Sequence, residues 1–208
     1  MGSYGQIITS VPFTITQSGT YTFSKSLTFA STSGGQAITV AASDVVIDFR
    51  GFSLNASPVG AGIGVQSSNR GVNIIVRNGA ISGFKVGLAI VSDAVGCTID
   101  NVRFLNNGTG TNLQGSTSCT VQNCLVNGSG TGTGIMVTAC FGVEVKNTQL
   151  LNWSSGVTSD GNNAFLENYI GGCSTGLVLG TGDKYKGNVT NGCTTPFSGG
   201  TAVGTENN

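Results

Sequence analysis

The sequence predicts an all-β domain built as a solenoid of short parallel strands, and three observations carry that expectation. Alternating segments with a central asparagine recur at 74–81, 97–104, 119–126, 143–150 and 164–171. Their asparagines, Asn78, Asn101, Asn123, Asn147 and Asn168, are spaced by 23, 22, 24 and 21 residues. A second register keeps the same period: Ala37-Ile-Thr-Val40, Gly62-Ile-Gly-Val65, Gly87-Leu-Ala-Ile90, Gly134-Ile-Met-Val137 and Gly176-Leu-Val-Leu179. Units that repeat in this way cannot bury an apolar face alone, and they build one continuous core by stacking.

Composition narrows the function classes. Glycine supplies 34 of the 208 residues without the every-third-position rhythm of a collagen, and charged residues make up only 9%. Nine basic residues balance nine acidic ones, so the clustered positive charge that nucleic acid demands is missing. Histidine is absent, which removes the usual general base near neutral pH, the Ser-His and Cys-His pairs, and histidine-based zinc sites. No apolar run reaches the roughly 18 residues of a membrane span, and residues 1–10 do not read as a signal peptide. The six cysteines, Cys97, Cys119, Cys124, Cys140, Cys173 and Cys193, form no CxxC pair and read as small core residues. Cys97 and Cys119 share a register, as do Cys173 and Cys193, which leaves disulfides across adjacent coils open.

Taken in order, residues 12–30 place Phe13, Ile15, Tyr21, Phe23, Leu27 and Phe29 on one side, with a tight turn at 17–20. They are expected to form an antiparallel, aromatic-rich cap that shields the open end of the solenoid. The expected division is an N-terminal tail, cap and first strands over 1–36, parallel coils over 37–195, and a C-terminal tail or cap over 196–208. Within the coils, period two sends Val76, Ile99, Val121, Val145 and Leu166 inward before the bend. Leu54, Ile81, Phe104, Val126 and Leu150 point inward after it. The five asparagines are expected to stack amide on amide as an internal structural ladder.

The repeated Val-x-Asn bend, the Gly83-Phe84 and Asn106-Asn-Gly108 turns and the glycine-led restart resemble the right-handed parallel β-helix, or pectin-lyase-like, superfamily over residues 37–195. Residues 12–21 and 44–52 look like the entry coils of such proteins. The resemblance implies a single-stranded right-handed parallel β-helix of about seven coils with an N-terminal β cap, the hand agreeing with the rule for parallel crossovers. It does not fix an activity, because the fold carries unrelated functions. The resemblance implies that lyases of this kind use aspartates for calcium with an arginine or lysine as base, and that related hydrolases use clustered aspartates. No compact aspartate cluster occurs here, so neither a metal nor another cofactor is expected.

Two outward columns are expected to gather the charge. One holds Arg50, Arg77, Asp100, Gln122, Lys146, Glu167 and Lys186; the other holds Asp48, Ile75, Thr98, Thr120, Glu144, Phe165 and Lys184. Arg77 would then face Asp100, and Lys146 would face Glu167. No catalytic centre is expected; in an enzyme of this fold Glu144 and Glu167, about 8 Å apart on the strand lattice and within the inverting-hydrolase range, would act with Lys146. Asn55, Asn107, Asn127, Asn152 and Asn188 stand in glycan-acceptor sequons.

The favoured expectation is a non-enzymatic structural or binding protein, extracellular, on a cell surface or in a virion. The alternative is a polysaccharide lyase or hydrolase using the charged face. Expected partners are further copies of the chain, as in a homotrimer, another structural protein, or a polysaccharide. Nucleic acid and a membrane span are not expected.

Overall fold

The computed structural model describes residues 5–30, 34–68 and 70–204. Every strand pairing among them is parallel, and the strands fall into three sheets that wind around one core. The first sheet stacks Phe13–Ile15, Gln36–Val40, Ala61–Ser67, Phe84–Ile90, Thr109–Gln114, Thr133–Thr138 and Ser155–Ser159. The second stacks Gly19–Phe23, Val45–Asp48, the start of Ile74–Ser82, the start of Thr98–Leu105, Thr120–Gln122, Glu144–Lys146 and Ala164–Leu166. The third runs from Leu27–Ala30 and Ser53–Ser57 to Gln149–Leu151, Tyr169–Gly171 and Val189–Asn191. The long strands Thr175–Lys186 and Thr195–Ala202 continue the first two sheets.

These pairings define about eight coils, close to the seven expected. The added coil comes from the opening segment. Phe13–Ile15 and Gly19–Phe23 were expected to pair with each other antiparallel; each instead pairs in parallel with the next coil. Residues 13–30 are thus a complete first coil, with Gln6–Ile8 laid on its second-sheet strand. At the other end Thr195–Ala202 carries the helix past residue 195, while residues 1–4 and 205–208 of the expected tails lie outside the described residues.

Inward columns explain why these residues make these strands. Ile47, Val76, Ile99, Val121, Val145 and Phe165 stack on the second sheet and are buried. Leu54, Ile81, Phe104, Val126, Leu150 and Ile170 do the same on the third. Like residues rest on like because successive coils lie about 4.8 Å apart. The glycine restart has a steric cause. A Cβ at Gly87 would approach the Gly110 carbonyl to 2.6 Å, and one at Gly110 the Gly134 carbonyl to 2.5 Å. In register the third-coil member of this column is Gly64 rather than Gly62, and the fifth-coil member is Gly110.

The expected inward column fails at one coil. Lys146 pairs with Leu166 and Val145 with Phe165, so Phe165 points inward and Leu166 outward. Because side chains alternate faces along a strand, this one-residue displacement exchanges the two roles completely.

Candidate functional site

From the second coil on, each coil turns two tight corners through a residue in the left-handed region. Between the first and second sheets these residues include Asp44, Asn73, Ser118, Gly142 and Asn162; between the second and third they are Arg50 with Gly51, then Asn78, Asn101, Asn123, Asn147, Glu167 and Gly187. Asparagine suits this conformation better than most side chains. The structure therefore puts four of the five predicted asparagines at the bend. Asn168 sits one residue beyond it, because Glu167, with φ of 54°, is the bend residue of that coil.

The bend asparagines also face outward rather than into the core. Asn101 donates to Asn78 at 3.0 Å, Asn78 reaches both Asp48 oxygens at 3.3 Å, and Asn123 donates to Asp100 at 2.8 Å. The internal ladder belongs to the following residue: Cys124, Thr148, Asn168 and Asn188 stack in the interior. The Thr148 N–H donates to Asn168 Oδ1 at 3.1 Å, the Asn168 N–H donates to Asn188 Oδ1 at 3.0 Å, and Asn168 Nδ2 donates to the Val145 carbonyl at 2.9 Å. The other corner repeats the device. The Val143 N–H donates to Asn163 Oδ1 and the Asn163 N–H to the buried Asp183, both at 2.9 Å. The left-handed bend leaves the next N–H facing inward, and an acceptor from the adjacent coil satisfies it.

The charged face is paired differently from expectation. Arg77 binds Asp48 at 2.9 Å rather than Asp100, and Lys146 pairs with Glu144 on its own strand rather than with Glu167. Partial burial pushes the Asp48 carboxyl up, but the Arg50 N–H, the Asn78 amide and the Arg77 guanidinium outweigh it and hold the group below its ordinary value. Glu144 stacks on Ala164, and Glu167 lies three residues further along the next coil. Strand and coil spacing then put the two backbone positions roughly 11 Å apart, wider than the roughly 8 Å expected, with Glu167 standing at the bend. The register behind the expected acid pair is not the one the chain adopts.

Two shallow depressions flank this face. One, of about 370 Å³, lies on the outer side of the second corner and is lined by Gly51, Asn78, Gly79, Ala80, Asn101 and Arg103. Gly79 is obligatory there, since its Cβ would come within 2.1 Å of Phe49 Cβ. The other, of about 360 Å³, lies at the first corner beside Phe141 and includes Glu144, Asn162 and Lys184, but neither Lys146 nor Glu167. Phe141 was missed by sequence reasoning. Its signal was an aromatic residue placed in a tight turn between Cys140 and Gly142, outside both inward columns.

The sequons divide by burial. Asn107 and Asn188 are buried, with Asn107 accepting the Phe84 N–H and Asn188 donating to the Phe165 carbonyl, so the folded chain cannot present either to a glycan transferase. Asn55 exchanges hydrogen bonds with Ser53 and Ser82, Asn127 accepts from Asn152, and Asn152 is exposed.

A family described as periplasmic copper-binding protein (NosD) matches residues 14–191. No curated protein matches the chain. Among solved structures, the Dettilon tailspike protein (gp208) superposes with a TM-score of 0.71 at 14% identity, covering 89% of this chain and 42% of that one. The enzymatically active domain of bacteriophage CBA120 tailspike protein 2 gives 0.54 at 13% identity, covering 83% and 38%. This chain thus spans less than half the length of either tailspike, and at such identities the likeness shows the fold alone.

The residues present do not fit a copper site. Histidine is absent, and no group of three His, Cys, Asp or Glu side chains converges among the described residues. The thiols are held as core donors: Cys124 Sγ donates to the Gln122 carbonyl at 3.1 Å and Cys140 Sγ to the Thr138 carbonyl at 3.3 Å. Burial pushes the Cys124 thiol up to about 12, while the Cys97 sulfur beside it and burial push Cys119 up. Cys124 and Cys119 so disposed resist becoming the thiolates that bind metal, whereas the Cys119 hydrogen bond lowers Cys97, around which no group of three ligands converges among the described residues. The unbroken match from the first coil to the eighth, on a right-handed parallel β-helix whose pectin-lyase-like architecture the sequence anticipated, makes this chain a member of the NosD family.

Proposed function

We propose that this chain is a non-enzymatic binding component acting outside the cytoplasm, on a cell surface or in a virion, and that it works as an assembly of several copies. The observation that carries this reading is the fate of the acidic groups. Asp48 is engaged by Arg77, Glu144 by Lys146 and Asp100 by Asn123, while Asp183 is buried as a backbone acceptor. These four acidic groups are engaged among the described residues, and a paired carboxylate is a poor general base. The likeness to two phage tailspikes and the periplasmic description of the family support the location, and the flat outer sheets suit packing against copies of the chain.

Light scattering should give a mass near three times the 20.9 kDa of the chain, as for a homotrimer. A reducing-end and unsaturated-product assay on the same sample, against a polysaccharide panel, should give no turnover. A monomer that cuts one polymer, and loses the activity in Glu144→Gln, would establish the polysaccharide lyase or hydrolase instead.

A further inference from the structure

We propose that the depression at the corner between the first and second sheets, beside Phe141, is a saccharide subsite that seats one pyranose ring. The inference rests on the binding function proposed above and gives it a place. Phe141 is 66% exposed, well above Tyr169 at 38%, the other exposed aromatic among the described residues. It follows Val72, Val95 and Thr117 in a column of turn residues joined coil to coil by parallel bridges. Val72 and Val95 are themselves 42% exposed, an apolar stretch separated from the Phe141 ring by the exposed Thr117. Beyond it the column continues as Gly161 and Thr181, where the side chains shrink and the surface falls away.

The floor is made by small residues. Gly142 and Gly182 turn the corner without side chains, and Ala164 separates Glu144 below from Lys184 above on the second sheet. Three coils span about 10 Å, the breadth of a single sugar ring rather than of a protein partner. The side chains of Asn162 and Lys184 have no hydrogen-bond or ion-pair partner among the described residues, although their backbones are bonded, and Glu144 retains acceptor capacity beside its pair with Lys146. An apolar aromatic face on one side, with amide, ammonium and carboxylate groups on the other, matches a ligand with one C–H face and a rim of hydroxyls. A pyranose has that form, and convergent polar groups around an aromatic surface are the usual construction of small-ligand sites. The open shape suits one unit of a longer glycan lying across the coils.

The test titrates the intact chain with cellohexaose, xylohexaose, mannohexaose and hexagalacturonate, following backbone amides by nuclear magnetic resonance and affinity by calorimetry. One of them should shift the amides of Gly142, Asn162 and Gly182. Phe141→Ala should weaken that binding about tenfold or more, as loss of an aromatic anchor does, while Phe141→Tyr keeps it. Phe141 is exposed, so neither variant threatens the fold. Silence from all four oligosaccharides overturns the subsite, as does affinity that Phe141→Ala leaves unchanged. Binding that maps elsewhere removes the subsite and leaves the binding function standing. New reducing ends alongside Phe141-dependent binding keep the subsite and remove the non-enzymatic reading.

Discussion

The early and late coils close the same corners by opposite means. In register, the early coils are 25, 27 and 23 residues long, and the last three are 22, 20 and 20. The long coils fill their interior with rings: Phe49 stacks on Phe23 with centroids 4.4 Å apart, and Phe29 and Phe84 lie 6.3 Å apart. Their hydrogen-bonded amides lie outside, in the relay from Asn101 through Asn78 to Asp48. The short coils bring the amides inside, as Asn163, Asn168 and Asn188 with Thr148 and Asp183. Between them the same inner columns hold Cys97, Cys119 and Cys124, small side chains whose sulfur is a weak donor and acceptor. At these two corners the wide coils are stabilised by volume and the narrow ones by hydrogen bonding to an inward N–H, although the late coils still bury the rings of Phe165 and Trp153 elsewhere in their core.

The largest expected effect follows from removing volume at the wide end. Phe49 is fully buried, stacks on Phe23 and roofs Gly79. Phe49→Ala should cost about 3–5 kcal/mol, read as a lower urea midpoint. At the narrow end, Asn168→Leu preserves bulk but strands the Thr148 N–H and the Val145 carbonyl, and should cost about 2–4 kcal/mol. If Asn168→Leu proves neutral, the inner ladder is merely tolerated and the contrast between the two ends collapses.

Thr111 sharpens the comparison with a smaller effect of opposite sign. It sits between Leu88 and Ile135 in the inward column of the first sheet, fully buried, with an Oγ1 that has no partner. This position is away from the corners, where the polar ladders operate. Thr111→Val should therefore raise stability by about 1 kcal/mol in the same denaturant titration. A loss of similar size would mean that the hydroxyl is serving the coil after all.

The sequence made the period, the parallel solenoid and most inward columns legible, because hydrophobic alternation locked to a fixed repeat leaves few other folds. It misled at Asn168 for a definite reason. Asparagine is common in the left-handed bend, so the last asparagine was aligned with the other four, whereas the chain uses Glu167 there, a residue with no such preference. That displacement placed Phe165 outside and Leu166 inside, and it brought Glu144 and Glu167 together as an apparent acid pair. The spacing of exactly one short coil from Asn168 to Asn188, with its sequon, marked the inner ladder equally well. The Phe141 depression was not legible, since it depends on which small residues stack above one aromatic ring.

The smallest expected effect tests the outer relay of the wide coils through pH. Asp48 is held below its ordinary value once folded, despite the opposing push of burial, by Arg50, Asn78 and Arg77. In the unfolded chain it titrates near the model-peptide value of about 3.9. A carboxyl with a depressed folded pKa contributes stability that is fully present above the unfolded pKa and is lost as pH falls through the folded one. The wild-type advantage over Asp48→Asn should thus be constant from pH 7 down to about 4.5 and shrink below about 4. Arg77 is 44% exposed, so solvent screening keeps the full advantage below about 1 kcal/mol. Paired urea titrations at pH 6 and pH 3 cancel the other titrating groups, which the two proteins share. An advantage undiminished at pH 3 would show that the relay is held by the shape of the Asp48 side chain and its neutral hydrogen bonds, and that its charge contributes nothing.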